Sequence, residues 1–100
     1  MNIEYTIYVG HSVNGKPTHS HEDVRQALRH GVKEYPTPGL TLVPGFGLDK
    51  HGNEEDSSVI TIIGTMDNQK EIRYLTAFLG HRLRQEETLL TSRPVQSEIW

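Results

Sequence analysis

Two acidic stretches carry the side chains of this sequence that are best suited to chemistry. The first, residues 54–56, stands before the strand-like run 59–63, and the second, residues 85–87, stands before the run 88–91. In a small α+β fold the starts of two strands can lie close together, so the carboxylates would converge. Converging carboxylates without a set of metal ligands favour a cationic, polar small molecule as the ligand.

A structural explanation exists for each acidic stretch. Acids in a loop are mostly solvated, and they keep a strand end from pairing with another chain. The second stretch fits this explanation less well, because acids at the C-terminal end of a helix oppose the helix dipole. The second stretch therefore strengthens the case for a binding site.

Six histidines raise the question of a metal site. His19 and His21 are the closest pair, but they flank Ser20 at the expected start of a helix and would point in different directions. Since the sequence fixes no third ligand, we predict no metal and no cofactor. Solvated histidines near a helix end are the simpler interpretation.

The segment Gly10-His11-Ser12 follows the first predicted strand directly. Glycine lets the backbone approach a ligand there, and the following side chains can form hydrogen bonds with it. An ordinary strand-to-helix turn explains the same residues equally well. Nothing in the chain resembles a phosphate-binding loop or a nucleophile elbow, which disfavours covalent catalysis.

Composition narrows the function classes further. A chain of 100 residues forms one domain with a small core, which makes association with other copies a reasonable expectation. Its net charge is −3 and its basic residues are scattered, so we expect no nucleic-acid partner. The absence of cysteine excludes disulfides and thiolate chemistry. No apolar run reaches the roughly 18 residues of a membrane span, and no basic leader is present, which predicts a cytoplasmic protein.

The elements that must position these residues can be read from periodicity. Residues 3–9 alternate apolar and polar side chains and predict a strand. Ser20 and Asp23 form a plausible capping pair for a helix that must end before Pro36. A short strand is expected over residues 40–43, followed by a polar loop from 44 to 56.

The second half of the chain repeats this order. The β-branched run 59–63 predicts a central strand, and residues 64–68 turn the chain into a second helix. That helix has one apolar face, and residues 88–91 form the last strand. The members of the apolar face are Ile72, Leu75, Leu79 and Leu83.

The order strand, helix, strand, strand, helix, strand most simply folds as a ferredoxin-like split βαβ sandwich. We therefore predict an α+β protein with an antiparallel sheet and helices on one face. Residues 1–91 would form the single domain and residues 92–100 a C-terminal tail. Because the tail ends in Ile99 and Trp100, it is expected to pack on a neighbouring subunit.

Four motifs in this order resemble the small bacteriophage S-adenosylmethionine (SAM) lyases and a related set of uncharacterised bacterial domains. They are Tyr-Thr-Ile-Tyr-Val at 5–9, Pro-Gly-Leu-Thr at 38–41, the acidic segment 52–59, and Gln-Glu-Glu-Thr-Leu-Leu at 85–90. The resemblance runs from residue 5 to about residue 91. Each motif alone is a weak signature, and their order and spacing carry the resemblance.

The resemblance implies a fold similar to that of the trimeric PII-like signalling proteins, with ligand sites between subunits. It also implies a reaction in which SAM is opened by its own carboxylate, giving methylthioadenosine and homoserine lactone. Lowering SAM in this way would counter methylation or restriction in a host. The expected partners are SAM as substrate and two further copies of the chain in a homotrimer.

Site residues follow from the resemblance. Glu55 and Glu86 are the expected catalytic carboxylates; Glu55 would bind the substrate ammonium or balance the sulfonium. The choice between Glu54 and Glu55 stays open, because a slip of one residue moves a side chain to the other sheet face. The expected substrate-binding residues are Tyr8, Gly10, His11, Ser12, Phe46, Glu54 and Gln85.

One departure from the family pattern concerns a tyrosine in the loop before the acidic segment. Here that loop carries Phe46, so Tyr8 would have to supply a hydroxyl if one is needed. Three alternatives remain: a hydrolase with a carboxylate as general base, a module that binds a nucleoside ligand without turnover, and an oligomeric protein that acts through its tail.

Overall fold

A computed structural model describes residues 1–48, 51–85 and 87–100 of the chain. The long elements follow the order strand, helix, strand, strand, helix, strand, with a small hairpin inserted after the first strand. A short 3₁₀ turn, Met66–Asn68, precedes the second helix. The elements are β1 (Asn2–Gly10), β2 (Ser12–Val13), β3 (Lys16–Pro17), α1 (His21–Glu34), β4 (Leu40–Leu48), β5 (Glu54–Gly64), α2 (Gln69–Arg82) and β6 (Leu89–Val95).

The four long strands form one sheet in the order β4-β5-β1-β6, and all three neighbouring pairs are antiparallel. The predicted α+β class with an antiparallel sheet and two helices is confirmed. β1 and β5 occupy the centre, where each has a partner on both sides. Among the described residues, no helix has the length and apolar character needed to cross a membrane.

One face of the sheet forms the core. Alternate residues of β1 are buried together with Ile60 and Ile62 of β5, as expected for strands whose side chains alternate between faces. Both helices contribute apolar residues to this same cluster. The buried apolar members from β1 and the helices are Ile3, Tyr5, Ile7, Val9, Val24, Ala27, Leu28, Ile72, Leu75 and Leu79.

Helix α1 begins where the sequence predicts. Asp23 donates its backbone N–H to Ser20 Oγ at 3.1 Å, and Ser20 donates its own to Asp23 Oδ2 at 2.9 Å, which completes a capping box. These hydrogen bonds, the backbone one foremost, stabilise the charged carboxylate and hold the pKa of Asp23 below its usual range. The helix ends at Glu34, before Pro36, as predicted.

Strands β4 and β5 are longer than predicted, which corrects the expected loop over 44–56. β4 continues through Pro44 to Leu48, and β5 begins at Glu54 instead of residue 59. The physical reason is that β4 is an edge strand, where a proline and glycines cost little pairing. The acidic stretch therefore lies in a paired strand, with Glu54 opposite Leu48 and Glu55 opposite Gly47.

Two further features differ from the sequence expectations. The turn-rich segment after β1 is a hairpin, whose Asn14 and Gly15 have φ values of 53° and 76°, as a type I′ turn requires. Strand β6 runs to Val95 instead of residue 91, and its Arg93 forms an ion pair with Glu4 of β1 at 3.1 Å. The last strand is thus anchored along most of β1.

Both described helices cover the core face of the sheet, and no helix among the described residues covers the second face. Tyr8, Val43, Ile63 and Leu89 are between 38% and 59% exposed on this face, which we call the open face. Beside this apolar group, Thr41, Thr61, Thr6 and Thr91 lie in register across all four strands. In the tail, Ile99 and Trp100 are fully exposed.

We expect Leu75→Ala to lower the free energy of unfolding by about 2–5 kcal/mol, because the Leu75 side chain is completely buried between the helices and the sheet. Urea denaturation at a fixed protein concentration measures this change. The matched control is Leu48→Ala, since Leu48 is 64% exposed and should change stability by less than about 0.5 kcal/mol. Equal losses in both variants would contradict the assigned core.

Candidate functional site

A cavity of about 520 Å³ lies where β1 ends and where β5 and α1 begin. The start of β5, which we call the acidic wall, contributes Glu54, Glu55 and Asp56 to the lining. The end of β1 and the start of α1 contribute His11, His19 and His21. The cavity is therefore lined by both acidic residues and histidines.

Glu55 is the half-buried member of the acidic wall, whereas Glu54 and Asp56 are exposed. Its side chain lies against Gly10 at the end of the neighbouring strand β1. A Cβ atom built on Gly10 would lie 2.2 Å from Glu55 Oε1. Gly10 thus provides the space that the Glu55 carboxylate occupies. Because Glu54 alternates to the other sheet face, only Glu55 can take this place.

Gln85 approaches the same point from the loop after α2. Its Oε1 atom lies 3.5 Å from the position of a Cβ on Gly10, and its Nε2 group donates to the Ser12 carbonyl at 3.5 Å. In the described part of the chain, the Glu55 carboxylate forms neither a hydrogen bond nor an ion pair. A carboxylate that is half-buried and unpaired is available for a cationic group of a ligand.

A buried serine joins two of these imidazoles. Ser58 has no exposed surface, and its Oγ atom lies 2.7 Å from His11 Nε2 and 2.8 Å from His21 Nδ1. Next to them, the His19 ring donates from Nε2 to the Leu83 carbonyl. The three rings are therefore held by β5 and by the end of α2, instead of pointing freely into solvent.

Burial dominates the protonation of His11, which is only 9% exposed. Loss of hydration lowers the pKa of His11 below its usual value, because burial penalises the charged form. The nearby carboxylates of Asp56 and Glu55 oppose this shift, while His21 and His19 add to it. The neutral imidazole is accordingly favoured at the base of the cavity.

The structure brings most of the predicted site residues together. His11, Ser12, Glu54 and Glu55 line the cavity, while Gly10 and Gln85 meet the Glu55 side chain. These residues come from three separate parts of the chain. That they bind a substrate stays a prediction.

Three other predicted residues stand apart from this group. Tyr8 lies two residues before Gly10 on the open face and is 41% exposed. Phe46 is 65% exposed, lies opposite Asp56 on the other sheet face from Glu55, and does not line the cavity. Glu86, the second expected catalytic carboxylate, falls outside the described residues.

Sequence reasoning missed Ser58 and left His21 as a solvated side chain. The His19-Ser20-His21 motif was a visible signal, but the partner of His21 is 37 residues away in the chain. Only the strand register brings the two together. Within residues 1–48, 51–85 and 87–100, no group of three His, Asp or Glu side chains is arranged to hold a metal ion.

We expect the free energy of unfolding to fall as the pH is lowered from about 7.5 to 5.5, in part through His11. Its folded-state pKa is depressed, so it contributes stability that is present above the unfolded value near 6.5. That stability is lost as the pH falls through the folded-state pKa. Denaturation across this range should show a shallower pH dependence for His11→Gln than for the wild type, with the exposed His81→Gln as control. Parallel curves for all three proteins would refute the assignment.

Comparison with known proteins adds fold-level relatives. No protein-family model matches the chain, and no curated protein matches it either. Among solved structures, a phage SAM lyase without ligand has a TM-score of 0.80 and 24% identity, over 91% of this chain and 78% of that one. A phage SAM lyase in complex with S-methyl-5′-thioadenosine has a TM-score of 0.77 and 22% identity, over 92% and 80%.

A third structure is more distant in sequence. A DUF3240 family protein from Shewanella baltica OS155 has a TM-score of 0.63 and 10% identity, over 98% of this chain and 94% of that one. All three similarities cover more than nine-tenths of this chain. The resemblance that the sequence motifs indicate is therefore confirmed in three dimensions: this chain has the fold of the phage SAM lyases.

Proposed function

We propose that the protein is a SAM lyase. The substrate's own carboxylate oxygen attacks its γ carbon, the bond from that carbon to sulfur breaks, and the bonding pair stays on sulfur. The products are neutral methylthioadenosine and homoserine lactone with its ammonium intact, so atoms and charge balance without water. No cofactor is needed, because methylthioadenosine is already a good leaving group.

The unpaired Glu55 carboxylate carries this proposal. It lies against Gly10 at the edge of a cavity of about 520 Å³, with Gln85 beside it, in the fold shared with the phage SAM lyases. One of those lyases binds the methylthioadenosine that the proposed reaction would release. Within the described residues this half-buried negative charge has no protein partner, which suits a substrate that carries both an ammonium and a sulfonium.

The change of charge during the reaction favours the substrate ammonium, and not the sulfonium, as the partner of Glu55. The reaction destroys the positive charge on sulfur, so a carboxylate beside the sulfonium would stabilise the substrate more than the transition state and slow the reaction. The ammonium keeps its charge throughout. A carboxylate that binds the ammonium therefore fixes the amino-acid end of the substrate without raising the energy barrier of the chemical step.

Catalysis then consists mainly of orientation. Folding the amino-acid chain so that its carboxylate faces the γ carbon can contribute about 7–11 kcal/mol through preorganisation. In this proposal, backbone groups of Gly10, His11 and Ser12 hold the nucleoside. Gln85 and Glu86 contribute further polar groups to the binding site. Glu54 contacts the substrate at the edge of the cavity.

Two predicted substrate-binding residues do not line the cavity of their own chain. Tyr8 and Phe46 would reach the substrate from a neighbouring subunit. The exposed apolar residues of the open face support a homotrimer with sites between subunits, and the tail that ends in Trp100 would add to the same contacts. Within each subunit we interpret the strand order β4-β5-β1-β6 as a ferredoxin-like arrangement.

The proposed setting is a host cytoplasm, where a lower SAM concentration would starve methyltransferases and counter restriction. Neither nucleic acid nor a membrane is a partner in this proposal. The net charge of −3 supports the first point, because such a chain does not attract a phosphate backbone.

The decisive test incubates purified protein with SAM and follows methylthioadenosine, homoserine lactone and homoserine at early times. We expect methylthioadenosine with the lactone appearing first. Glu55→Gln should lower kcat/KM by about 10- to 100-fold, since it removes a charged hydrogen-bond partner, and should leave the melting temperature and oligomeric state unchanged. Glu54→Gln, on the exposed neighbour, is the control with a smaller effect.

Other outcomes separate the alternatives. Homoserine without an early lactone would mean a hydrolase, in which a carboxylate activates water. Binding of SAM without product would mean a binding module. Unchanged rates in both Glu55→Gln and Glu54→Gln would show that neither carboxylate takes part in the reaction.

A further inference from the structure

A groove of about 300 Å³ lies between helix α1 and the edge strand β4. It shares no lining residue with the cavity described above. Apolar side chains form most of its lining, together with two arginines. These residues are Leu28, Val32, Leu40, Leu42, Arg25 and Arg29, and we call this set the arginine groove.

The sequence of α1 and β4 explains why the groove is apolar. Residues 25, 28, 29 and 32 recur at helical spacing and share one face of α1. Leu40 and Leu42 alternate along β4 and lie on the core face of the sheet. Together with Val32 they remain only partly buried against the core. An apolar group placed in the groove would therefore remove further apolar surface from water.

Both arginines of the groove are exposed, and they differ in their partners. Arg25 pairs with Glu22 at 3.6 Å. Arg29 forms neither an ion pair nor a hydrogen bond through its side chain with another described residue. A partly exposed apolar surface beside such a cation fits a partner that presents a large apolar side chain and a carboxylate.

The C-terminal tail presents this combination. Ile99 and Trp100 are fully exposed, and Glu98 precedes them. In an extended segment, side chains two residues apart point in the same direction, so Glu98 and Trp100 can contact one surface together. Tryptophan is also among the residues that most often anchor a protein interface.

The tail of the same chain does not reach the groove while Ser97 is hydrogen-bonded to Asn2. Leu42 lies opposite Ile60, which lies opposite Ile7 of β1. Leu42 is therefore about 17 Å along the strands and about 10 Å across them from Asn2. The three residues after Ser97 extend at most about 11 Å. A tail that fills the groove has to come from another copy.

Charge favours the groove over the open face as the place where the tail binds. Among the described residues, the charged side chains that the register puts on the open face are Glu4, Glu55 and Arg93. Arg93 already pairs with Glu4. The carboxylate of Glu98 would add to a negative surface there, whereas at the groove it would meet Arg29.

We propose that the arginine groove binds the tail of a second copy of the chain, with Trp100 against the apolar residues and Glu98 paired with Arg29. The inference specifies where on the neighbouring subunit the tail lies. Such a contact joins two different surfaces, and head-to-tail contacts of this kind close into a ring when the rotation permits. A ring of three copies would be the homotrimer of the proposed function. Because the tail alone buries little area, it supplements the contacts of the open face.

Cross-linking tests the contact on the whole chain, which contains no cysteine. The test variant carries Val32→Cys in the groove and Ile99→Cys beside Trp100. The matched control carries Ile63→Cys on the open face together with the same Ile99→Cys. With a short bifunctional thiol reagent, we expect the test variant to give covalent oligomers on a denaturing gel and the control to stay largely unlinked.

Four outcomes would overturn the inference. An internally linked monomer of the test variant would show that the chain's own tail occupies the groove. Stronger linkage in the open-face control would place the tail on the open face, and equal linkage in both variants would show that the tail has no preferred site. A protein that stays monomeric and unlinked at every concentration leaves the groove without this occupant.

Sedimentation measures the same contact without a reagent. Trp100→Ala should raise the dissociation constant of the oligomer about tenfold. Arg29→Glu and Glu98→Arg should each raise it about two- to fivefold, and the double variant should recover most of the loss because the exchange restores the ion pair. Lys33→Glu, an exposed charge reversal on the same helix outside the groove, is the matched control. Equal effects of Arg29→Glu and Lys33→Glu without recovery in the double variant would refute the pair.

None of these measurements uses SAM, so the inference and the proposed function fail separately. A tail that binds the groove in a protein without lyase activity leaves the inference standing. A monomer that turns over SAM refutes the inference while the proposed reaction stands.

Discussion

The antiparallel pairing of β1 with β5 is the constraint on which both the core and the cavity depend. Its register sets Ile7 opposite Ile60 and Tyr5 opposite Ile62, so the buried face of the sheet closes under the two helices. Burying such side chains contributes about 1.5–3 kcal/mol each. The same register puts Gly10 opposite Ser57, at the point where the chain turns toward the cavity. A slip by one residue would exchange the two faces and dismantle core and cavity together.

Some of this arrangement could be predicted from the sequence because it depends on local patterns. The alternation in β1, the cap formed by Ser20 and Asp23, and the apolar face of α2 each involve residues a few positions apart. β4 could not be predicted to its full length, because Pro44 and the following glycines indicate a turn unless the strand is known to lie at a sheet edge. Edge position is a property of the folded sheet.

The contacts of the cavity were harder still to predict. Ser58 meets His11 across 47 residues and His21 across 37, so no local pattern reveals either contact. The meeting of Glu55 with Gly10 likewise needs the register, although both residues could be singled out by their type. The sequence motifs identified the residues of the cavity more readily than their partners.

Gly10 has a consequence for how such a protein can evolve. The Glu55 carboxylate occupies the volume that any side chain at position 10 would need. Every coding change that replaces a glycine adds atoms at this carbon, so the first step away from glycine already displaces the carboxylate while leaving the core residues intact. Descendants of this chain that lose the acidic contact can therefore keep the fold. Glycine at position 10 is for that reason a simple genetic marker for sorting homologues that keep this carboxylate in place from those that have only the fold.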